Sequence, residues 1–87
     1  MPTVWIPALM RDLTGQAESV PVAAGALREI IDELDAKFPG IKARLCAGDA
    51  VRPGLAVVID AQVARGGLSE AVGANSEVHF IPAIGGG

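Results

Sequence analysis

The sequence predicts a two-layer α+β domain in which one main helix covers one face of a four- or five-stranded sheet. One segment places its apolar residues at the period of a helix, and short β-branched segments stand on both sides of it. At 87 residues the chain can bury one modest core. Because only Trp5, Phe38 and Phe80 are aromatic, Val, Ile, Leu and Ala must form most of that core.

The first two strands are predicted before the helix. Residues 3–9 are rich in β-branched and aromatic side chains, and Pro7 among them indicates a bulge or the end of regular pairing. Gly15 is the expected pivot of the turn, after which residues 18–22 return antiparallel to the first strand. Because Pro21 has no N–H to donate, the second strand is expected at an edge of the sheet.

The main helix is predicted over residues 26–38. Its apolar positions, at i, i+3, i+4, i+7 and i+11, are Leu27, Ile30, Ile31, Leu34 and Phe38. Neither Ala24 nor Gly25 offers a side-chain acceptor to the first turn, so the N-cap is poor. The Pro39-Gly40 pair marks the end of the helix.

The second half of the chain is predicted to complete the sheet. Its segments are a short turn of helix at 41–45, a loop at 47–54, a strand at 55–60, a short strand at 62–65, a glycine turn leading into a single helical turn at 66–72, and a last strand at 77–82. The predicted order is therefore β-β-α-β-(β)-β, with one sheet face left uncovered.

Charge and composition exclude several classes of protein. The net charge of −3 argues against nucleic-acid binding, which needs a basic face. No apolar run approaches the ~20 residues of a membrane span, and no signal-like stretch is recognisable at the start, so no membrane partner is expected. Cys46 is the single cysteine, which excludes a disulfide framework, and we expect a reducing, cytoplasmic location.

Residues inside the chain do not form a catalytic set. His79 is the single histidine, so there is no Ser/His/Asp set, and no metal is expected. The glycine-rich segments lack the lysine and the strand–loop–helix context of a phosphate loop. We expect Asp32, Glu33 and Asp35 to form a solvated helix face and Cys46 to be a semi-buried thiol. The protein is therefore not expected to be an enzyme.

The sequence "PAIGGG", Pro82–Gly87, follows directly on the predicted last strand. A C-terminal α-carboxylate is ionised and inert as an acyl donor until another enzyme activates it, for example as an acyl adenylate. Glycine has no Cβ to obstruct passage through a narrow active site. We therefore expect residues 1–83 to form the domain and residues 84–87 a flexible tail, in which Ile84, Gly85 and Gly86 thread and Gly87 carries the reactive carboxylate. The alternative is an end that only frays.

Four motifs resemble the MoaD/ThiS-like sulfur-carrier proteins of the β-grasp, ubiquitin-like superfamily. "IPALMRDLTG" resembles the first strand and turn of that family, and "LREIIDELDAKFPGIKARL" resembles its single helix and Pro-Gly exit. "GGLSEAV" resembles the turn before the last strand, and "EVHFIPAIGGG" is similar to the terminal strand and diglycine. The resemblance covers the whole chain and implies a β-grasp fold with a mixed sheet.

The resemblance also implies a sulfur carrier, a protein cosubstrate that binds no cofactor of its own. An adenylating, ubiquitin-activating-like enzyme would use ATP and Mg to activate the carboxylate of Gly87. A sulfurtransferase or other sulfide source would then convert it to a thiocarboxylate, and a sulfur-accepting synthase would receive the sulfur. Gly86 and Gly87 match the family's diglycine, whereas Gly85 stands where many relatives have alanine.

Other assignments stay open at this point. "LMRDLTG" and "FPGIKARL" look closer to carriers that serve cysteine or other sulfur-metabolite synthesis than to the small subunit of molybdopterin synthase. A ubiquitin-like modifier that forms isopeptides and an interaction module without tail chemistry are two further alternatives. Relatives commonly carry Asp-Gly-Asp before the last strand, where this chain has Ala74-Asn75-Ser76, and we expect Asn75 to preserve the turn through its tolerance of positive φ.

The uncovered sheet face is predicted to bind partners. If Val4 and Ile6 face the helix, Trp5 points to the other side. In a β-grasp sheet the first and last strands are neighbours, so Trp5, Val58 and His79 are expected to share that face. Exposed aromatic side chains suit partner docking, and the alternative is that Trp5 caps a sheet edge.

Overall fold

The computed structural model describes residues 1–82, which form nine strands and two α-helices. The strands are β1 (Thr3–Trp5), β2 (Ser19–Pro21), β3 (Gly25–Ala26), β4 (Cys46–Ala47), β5 (Ala50–Val51), β6 (Leu55–Ile59), β7 (Gln62–Val63), β8 (Ala71–Val72) and β9 (Glu77–Pro82). The helices are α1 (Leu27–Lys37) and α2 (Ile41–Leu45), with 3₁₀ helices at Ala8–Thr14 and Gly67–Ser69.

Five of these strands form one mixed sheet in the order β2-β1-β9-β6-β7. The β1–β9 pair is parallel, and the other three pairs are antiparallel. The remaining strands form two small pairs, β3 with β8 and β4 with β5. The last strand of the described chain therefore lies at the centre of the main sheet, and β2 lies at its edge as Pro21 predicts.

Helix α1 covers one face of this sheet and forms the core with it. Four of the five residues of the predicted apolar stripe are buried, and the fifth, Phe38, is partly buried beyond the end of the helix. From the sheet, the fully buried or nearly fully buried partners are Val4, Val20, Val57, Val78 and Phe80. Because one helix covers one face of the sheet, the predicted two-layer α+β arrangement is confirmed. The apolar area buried between the two layers stabilises it.

The start of α1 replaces the missing N-cap side chain with a carboxylate from inside the helix. Glu29 Oε1 accepts a hydrogen bond from the N–H of Ala26 at 2.9 Å. One turn further on, Glu33 Oε1 accepts from the N–H of Ala23 at 3.0 Å. These two carboxylates compensate for the missing side-chain acceptor at Ala24 and Gly25. Glu33, predicted to lie on a solvated face, therefore also accepts a backbone hydrogen bond.

The connection from α1 to α2 depends on Asp35 and Gly40. Gly40 has φ +102°, which places it in the left-handed region that favours glycine. Asp35 Oδ1 accepts from the N–H of Gly40 and from that of Lys42, both at 3.1 Å. Asp35 therefore satisfies donors in the first turn of α2, a role the prediction of a purely solvated face omitted.

Three predicted segments differ from the structure. One is the helical turn predicted within residues 66–72, which is a 3₁₀ helix at Gly67–Ser69 followed by strand β8, paired with β3. The strand predicted over residues 3–9 ends at Trp5, because Pro7 begins the 3₁₀ helix and its carbonyl accepts from the N–H of Met10 at 2.9 Å. The loop predicted at 47–54 contains the short hairpin β4–β5, in which Cys46 pairs with Val51. Short elements of this kind depend on tertiary pairing more than on local pattern.

The turn before β9 is preserved, as expected, but Ser76 closes it and Asn75 does not adopt positive φ. Among the described residues, positive φ outside glycine occurs only at Gln16, Asp60 and Ala61. The N–H of Ser76 donates to the carbonyl of Gly73 at 3.2 Å, and its Oγ accepts from the N–H of Gly73 at 3.0 Å. These paired hydrogen bonds close the turn without a left-handed residue.

Across residues 1–82, the structure contains no helix with the length and apolar content that a bilayer crossing requires.

The core predicts a sharp contrast between two leucines that carry the same substitution. Leu34 is 0% exposed on α1, whereas Leu9 is 89% exposed in the first 3₁₀ helix. We expect Leu34→Ala to lower the free energy of unfolding by about 2–5 kcal/mol, because it leaves a cavity between helix and sheet. Leu9→Ala should change it by less than about 0.5 kcal/mol. Urea titration followed by circular dichroism measures both, and equal losses would contradict this assignment of the core.

Candidate functional site

The uncovered face of the main sheet brings together the three residues that the sequence placed there. Trp5 lies opposite His79 in the parallel β1–β9 pair, and His79 lies opposite Val58 in the antiparallel β9–β6 pair. Val63 is the cross-strand partner of Val58, and Ile81 follows His79 by two positions. We refer to Trp5, Val58, Val63, His79 and Ile81 as the open face.

Trp5 is fixed on the open face by two contacts. Its ring stacks on that of His79, with centroids 5.7 Å apart and planes 8° from parallel. Its indole N–H donates to Glu77 Oε1 at 2.9 Å. Since β2 lies outside β1 in the sheet, Trp5 does not cap an edge, and that alternative is wrong. The aromatic pair is instead held in one orientation inside the face.

The open face is apolar and carries little charge. Val63 is 54% exposed and Ile81 is 42% exposed, although both are large hydrophobic residues. Within the five strands of the sheet, as far as Pro82, Glu77 is the single carboxylate, and there is no lysine or arginine. An apolar surface with an aromatic pair and an acidic margin has the composition of a protein-binding patch.

Asp60 forms the margin of the open face next to Glu77. It occupies the two-residue turn between β6 and β7, where Asp60 has φ 52° and Ala61 has φ 69°. Its Oδ2 accepts from the hydroxyl of Ser76 at 2.7 Å, and its Oδ1 accepts from the N–H of Glu77 at 2.9 Å. These hydrogen bonds, that of Ser76 first, lower the pKa of Asp60 and tie the β6–β7 turn to the start of β9.

Neither Asp60 nor Glu77 was singled out from the sequence. Glu77 stands two positions before His79, so strand alternation places both side chains on one face of the sheet. This alternation could have predicted Glu77 as a residue of the site. With Val58 and His79, the two carboxylates line an open depression. Nevertheless, residues 1–82 contain no cluster of three His, Cys, Asp or Glu residues arranged to hold a metal.

The predicted tail begins where β9 ends. The last cross-strand pair joins Pro82 to Leu55, at the start of β6. β9 pairs with β1 only over Glu77–His79, whereas its pairing with β6 continues to Pro82, so the end of β9 is held by β6. The residues predicted to thread and react, Ile84, Gly85, Gly86 and Gly87, lie outside the described residues, and their roles stay predictions.

Cys46 is placed at the end of α2, where it is 6% exposed. It is therefore more buried than the semi-buried thiol that the sequence predicted. Its pKa is raised mainly by burial, and this effect is larger than the opposing effect of the Lys42 charge. A thiol in this environment is held in the protonated, weakly nucleophilic form, so Cys46 packs as an apolar residue of the core.

The mixed sheet with its central last strand and one covering helix defines a β-grasp protein of the ubiquitin-like kind. The family model for the ThiS family matches residues 4–87, and the chain belongs to this family. The sulfur carrier protein CysO of Mycobacterium tuberculosis is 33% identical over 92 residues, covering 98% of this chain and 97% of that protein. This chain is thus a homologue of a sulfur carrier, as its motifs predict.

Two solved structures confirm the β-grasp fold. A chain in the crystal structure of the Amycolatopsis orientalis BexX/CysO complex is 32% identical and matches with a TM-score of 0.91 over 100% of both chains. The crystal structure of Mycobacterium tuberculosis CysO is 28% identical and matches with a TM-score of 0.89, covering 97% of this chain and 100% of that one. The likeness therefore extends to nearly every element.

The hydrogen bonds of Asp60 predict a pH-dependent contribution to stability. Because its pKa is lower in the folded state than the ordinary value of 3.8, ionised Asp60 stabilises the fold above that value. This contribution is lost as the pH falls through the lower, folded-state pKa. Asp60→Asn keeps an acceptor and tolerates positive φ, so we expect wild type to be more stable at neutral pH and the difference to shrink in acid. Urea titrations across that range measure it, and a pH-independent difference would refute this role.

Proposed function

We propose that this chain is a sulfur carrier for the biosynthesis of cysteine or a related sulfur metabolite. The observation that carries the proposal is the identity of 33% to the sulfur carrier CysO along 98% of the chain. The glycine-rich sequence that follows β9 supplies the chemistry such a carrier needs. In this proposal the chain is a protein cosubstrate that acts with partner enzymes and is not itself a catalyst.

The proposed chemistry takes place at the carboxylate of Gly87. The carboxylate oxygen attacks the α-phosphate of ATP on an adenylating enzyme, forming an acyl adenylate and releasing pyrophosphate, with Mg bound to the ATP. Sulfide then attacks the acyl carbon and displaces AMP, leaving a thiocarboxylate. A synthase uses this sulfur as the nucleophile toward its own electrophilic substrate.

The described residues support a passive role in this chemistry. β9 is paired with both β1 and β6, and its pairing with β6 continues to Pro82, which supports a role of the sheet in presenting the residues that follow. The charged side chains of α1 that contact other groups are engaged in capping and ion pairing. In this proposal the domain binds the partner enzymes and presents the tail to them, and those enzymes supply the reacting groups.

The open face is the proposed docking surface for the adenylating enzyme. Trp5 stacked on His79 offers a large, oriented aromatic surface, and aromatic residues at the centre of an interface commonly contribute most to affinity. CysO of Amycolatopsis orientalis has been crystallised in a complex with BexX, which supports complex formation as part of this protein's role. The small subunit of molybdopterin synthase, a ubiquitin-like modifier and a module without tail chemistry are the alternatives.

The first prediction of this proposal concerns Gly87. Incubation of the purified chain with ATP, Mg, sulfide and its adenylating enzyme should raise the mass of the terminal peptide by the exchange of one oxygen for sulfur. Mass spectrometry of the intact chain and of its peptides measures this gain. A chain lacking Gly86 and Gly87 is the control and should remain unmodified.

The outcomes separate the alternatives. Gly87-dependent conjugates on lysines of other proteins, without thiocarboxylate, would favour a modifier. A plain carboxylate after incubation with an adenylating enzyme proven to act on another carrier would favour the interaction module. The thiocarboxylate form supplied to a cysteine-type or a molybdopterin-type synthase then identifies the acceptor by the product formed.

A second prediction concerns the open face. We expect Trp5→Asp to weaken binding to the adenylating enzyme by about tenfold or more, because it removes an aromatic anchor and places a charge in an apolar interface. Ile81→Asp changes a more exposed position of the same face and should act in the same direction. Ala36→Asp, on the exposed side of α1, adds the same charge to the opposite layer and should leave affinity unchanged. Calorimetry measures the Kd of variants whose circular dichroism is native, and unchanged affinity of both open-face variants would overturn the assignment.

A further inference from the structure

The sequence contains few amines that an activated carboxylate could acylate. Of the seven basic residues only Lys37 and Lys42 are lysines, and the other five are arginines. A guanidinium stays protonated at any physiological pH and is a poor acyl acceptor. A free lysine amine, in contrast, attacks an acyl adenylate readily. The surface of the carrier therefore presents two side-chain amines that compete with sulfide.

Lys42 is held by a carboxylate of the main helix. Its Nζ lies 2.7 Å from Asp32 Oδ1, and the two residues stand on different helices, α2 and α1. The side chain of Lys42 remains 46% exposed, so an incoming acyl group can reach it. The hydrogen bond and charge of Asp32 are the main causes of a raised pKa at Lys42, with the charge of Asp35 adding to it. The small unprotonated fraction of the amine, which is the nucleophilic form, is thereby lowered further.

Lys37 is held by two acceptors. Its Nζ lies 3.3 Å from Glu33 Oε2, one turn away on α1, and 3.4 Å from the carbonyl of Pro21 at the sheet edge. The N–H of Ala23 is the main cause of a lowered pKa at Glu33, so its carboxylate is ionised at neutral pH. Both lysines are thus engaged by an anion, and both anions lie on α1.

We propose that these two ion pairs suppress acylation of the carrier's own lysines by the activated tail of another copy, leaving sulfide as the preferred acceptor. The inference rests on the proposed function, since it needs an activated Gly87. It gives the acidic face of α1 a chemical task, which is to hold the amines at its surface in ion pairs. The effect is a bias in acceptor choice and not a complete block, because exposed ion pairs are weak.

The suppressed reaction is an ordinary aminolysis. The unprotonated Nζ of Lys42 in one molecule attacks the acyl carbon of the Gly87 adenylate of another. A C–N bond forms, the bond from the acyl carbon to the phosphate oxygen breaks, AMP leaves, and the nitrogen loses a proton to water. The product is an isopeptide-linked dimer that can no longer carry sulfur on the consumed tail.

The amine reactivity can be tested without any partner enzyme. The purified chain is treated with a limiting amount of an acetyl N-hydroxysuccinimide ester at neutral pH, and acetylation at each amine is followed by peptide mass spectrometry. Asp32→Asn should raise the rate at Lys42 by about two- to fivefold, and Glu33→Gln should raise that at Lys37, with an amide oxygen retained for Ala23. Glu18→Gln, an exposed change of the same charge, is the matched control.

The results decide the proposal in either direction. The proposal stands if the acetylation rate, relative to that of the Met1 α-amino group, rises only at the lysine whose partner was changed. The difference between variant and wild type should also disappear in high salt, which screens exposed ion pairs. Unchanged rates, or an equal rise in Glu18→Gln, would overturn it. In a second arm, Asp32→Asn with the adenylating enzyme and ATP, but no sulfide, should yield more Gly87–Lys42 dimer than wild type.

The two arms separate this inference from the proposed function. If ester labelling responds as expected but no adenylate forms at Gly87 in either protein, the proposed function fails and the reactivity of the lysines is still established. If the adenylate forms but dimer and labelling are the same in wild type and Asp32→Asn, the sulfur-carrier function stands and the protective role of the ion pairs is refuted.

Discussion

The pairing of β9 between β1 and β6 is the constraint on which the rest of the structure depends. It joins the end of the described chain to its beginning through the parallel pair with β1, and to its middle through the antiparallel pair with β6. Val78 and Phe80 of β9 then face the helix and complete the core, while His79 faces the other way. Backbone pairing holds Glu77–His79 to β1 and Val78–Pro82 to β6, so β9 is fixed in the sheet as far as the described chain extends.

Helix α1 packs on the sheet with its apolar face and caps nearby backbone N–H groups with the carboxylates of its polar face. Its apolar stripe closes the core, and its carboxylates satisfy backbone donors that the sequence leaves uncapped. Glu29 and Glu33 accept from the connection before α1, and Asp35 accepts from the turn into α2. Unpaired N–H groups near helix termini need acceptors. The acidic face of α1, which the sequence predicted to be solvated, therefore supplies acceptors near both ends of the helix.

The open face is the surface to which we assign partner recognition. Membership of the ThiS family and homology to CysO place the chain among sulfur carriers. What distinguishes one carrier from another is the surface presented to each enzyme. Here that surface consists of a stacked Trp5–His79 pair, aliphatic neighbours and an acidic margin, with the lysines on the opposite layer. In our proposal, recognition takes place on the open face of the sheet and chemistry takes place at Gly87.

The sequence by itself determined the main helix, the last strand, the edge position of β2 and the glycine-rich end, because each rests on a local signal. Helical periodicity, strand alternation and the missing N–H of Pro21 need no distant partner. Tertiary structure alone decided where β1 ends, the hairpin β4–β5 and the closure of the turn before β9 by Ser76. It also decided the contact of Trp5 with Glu77, which lie 72 positions apart in the sequence. Such contacts depend on strand register, and register is set only when the whole apolar pattern packs on one core.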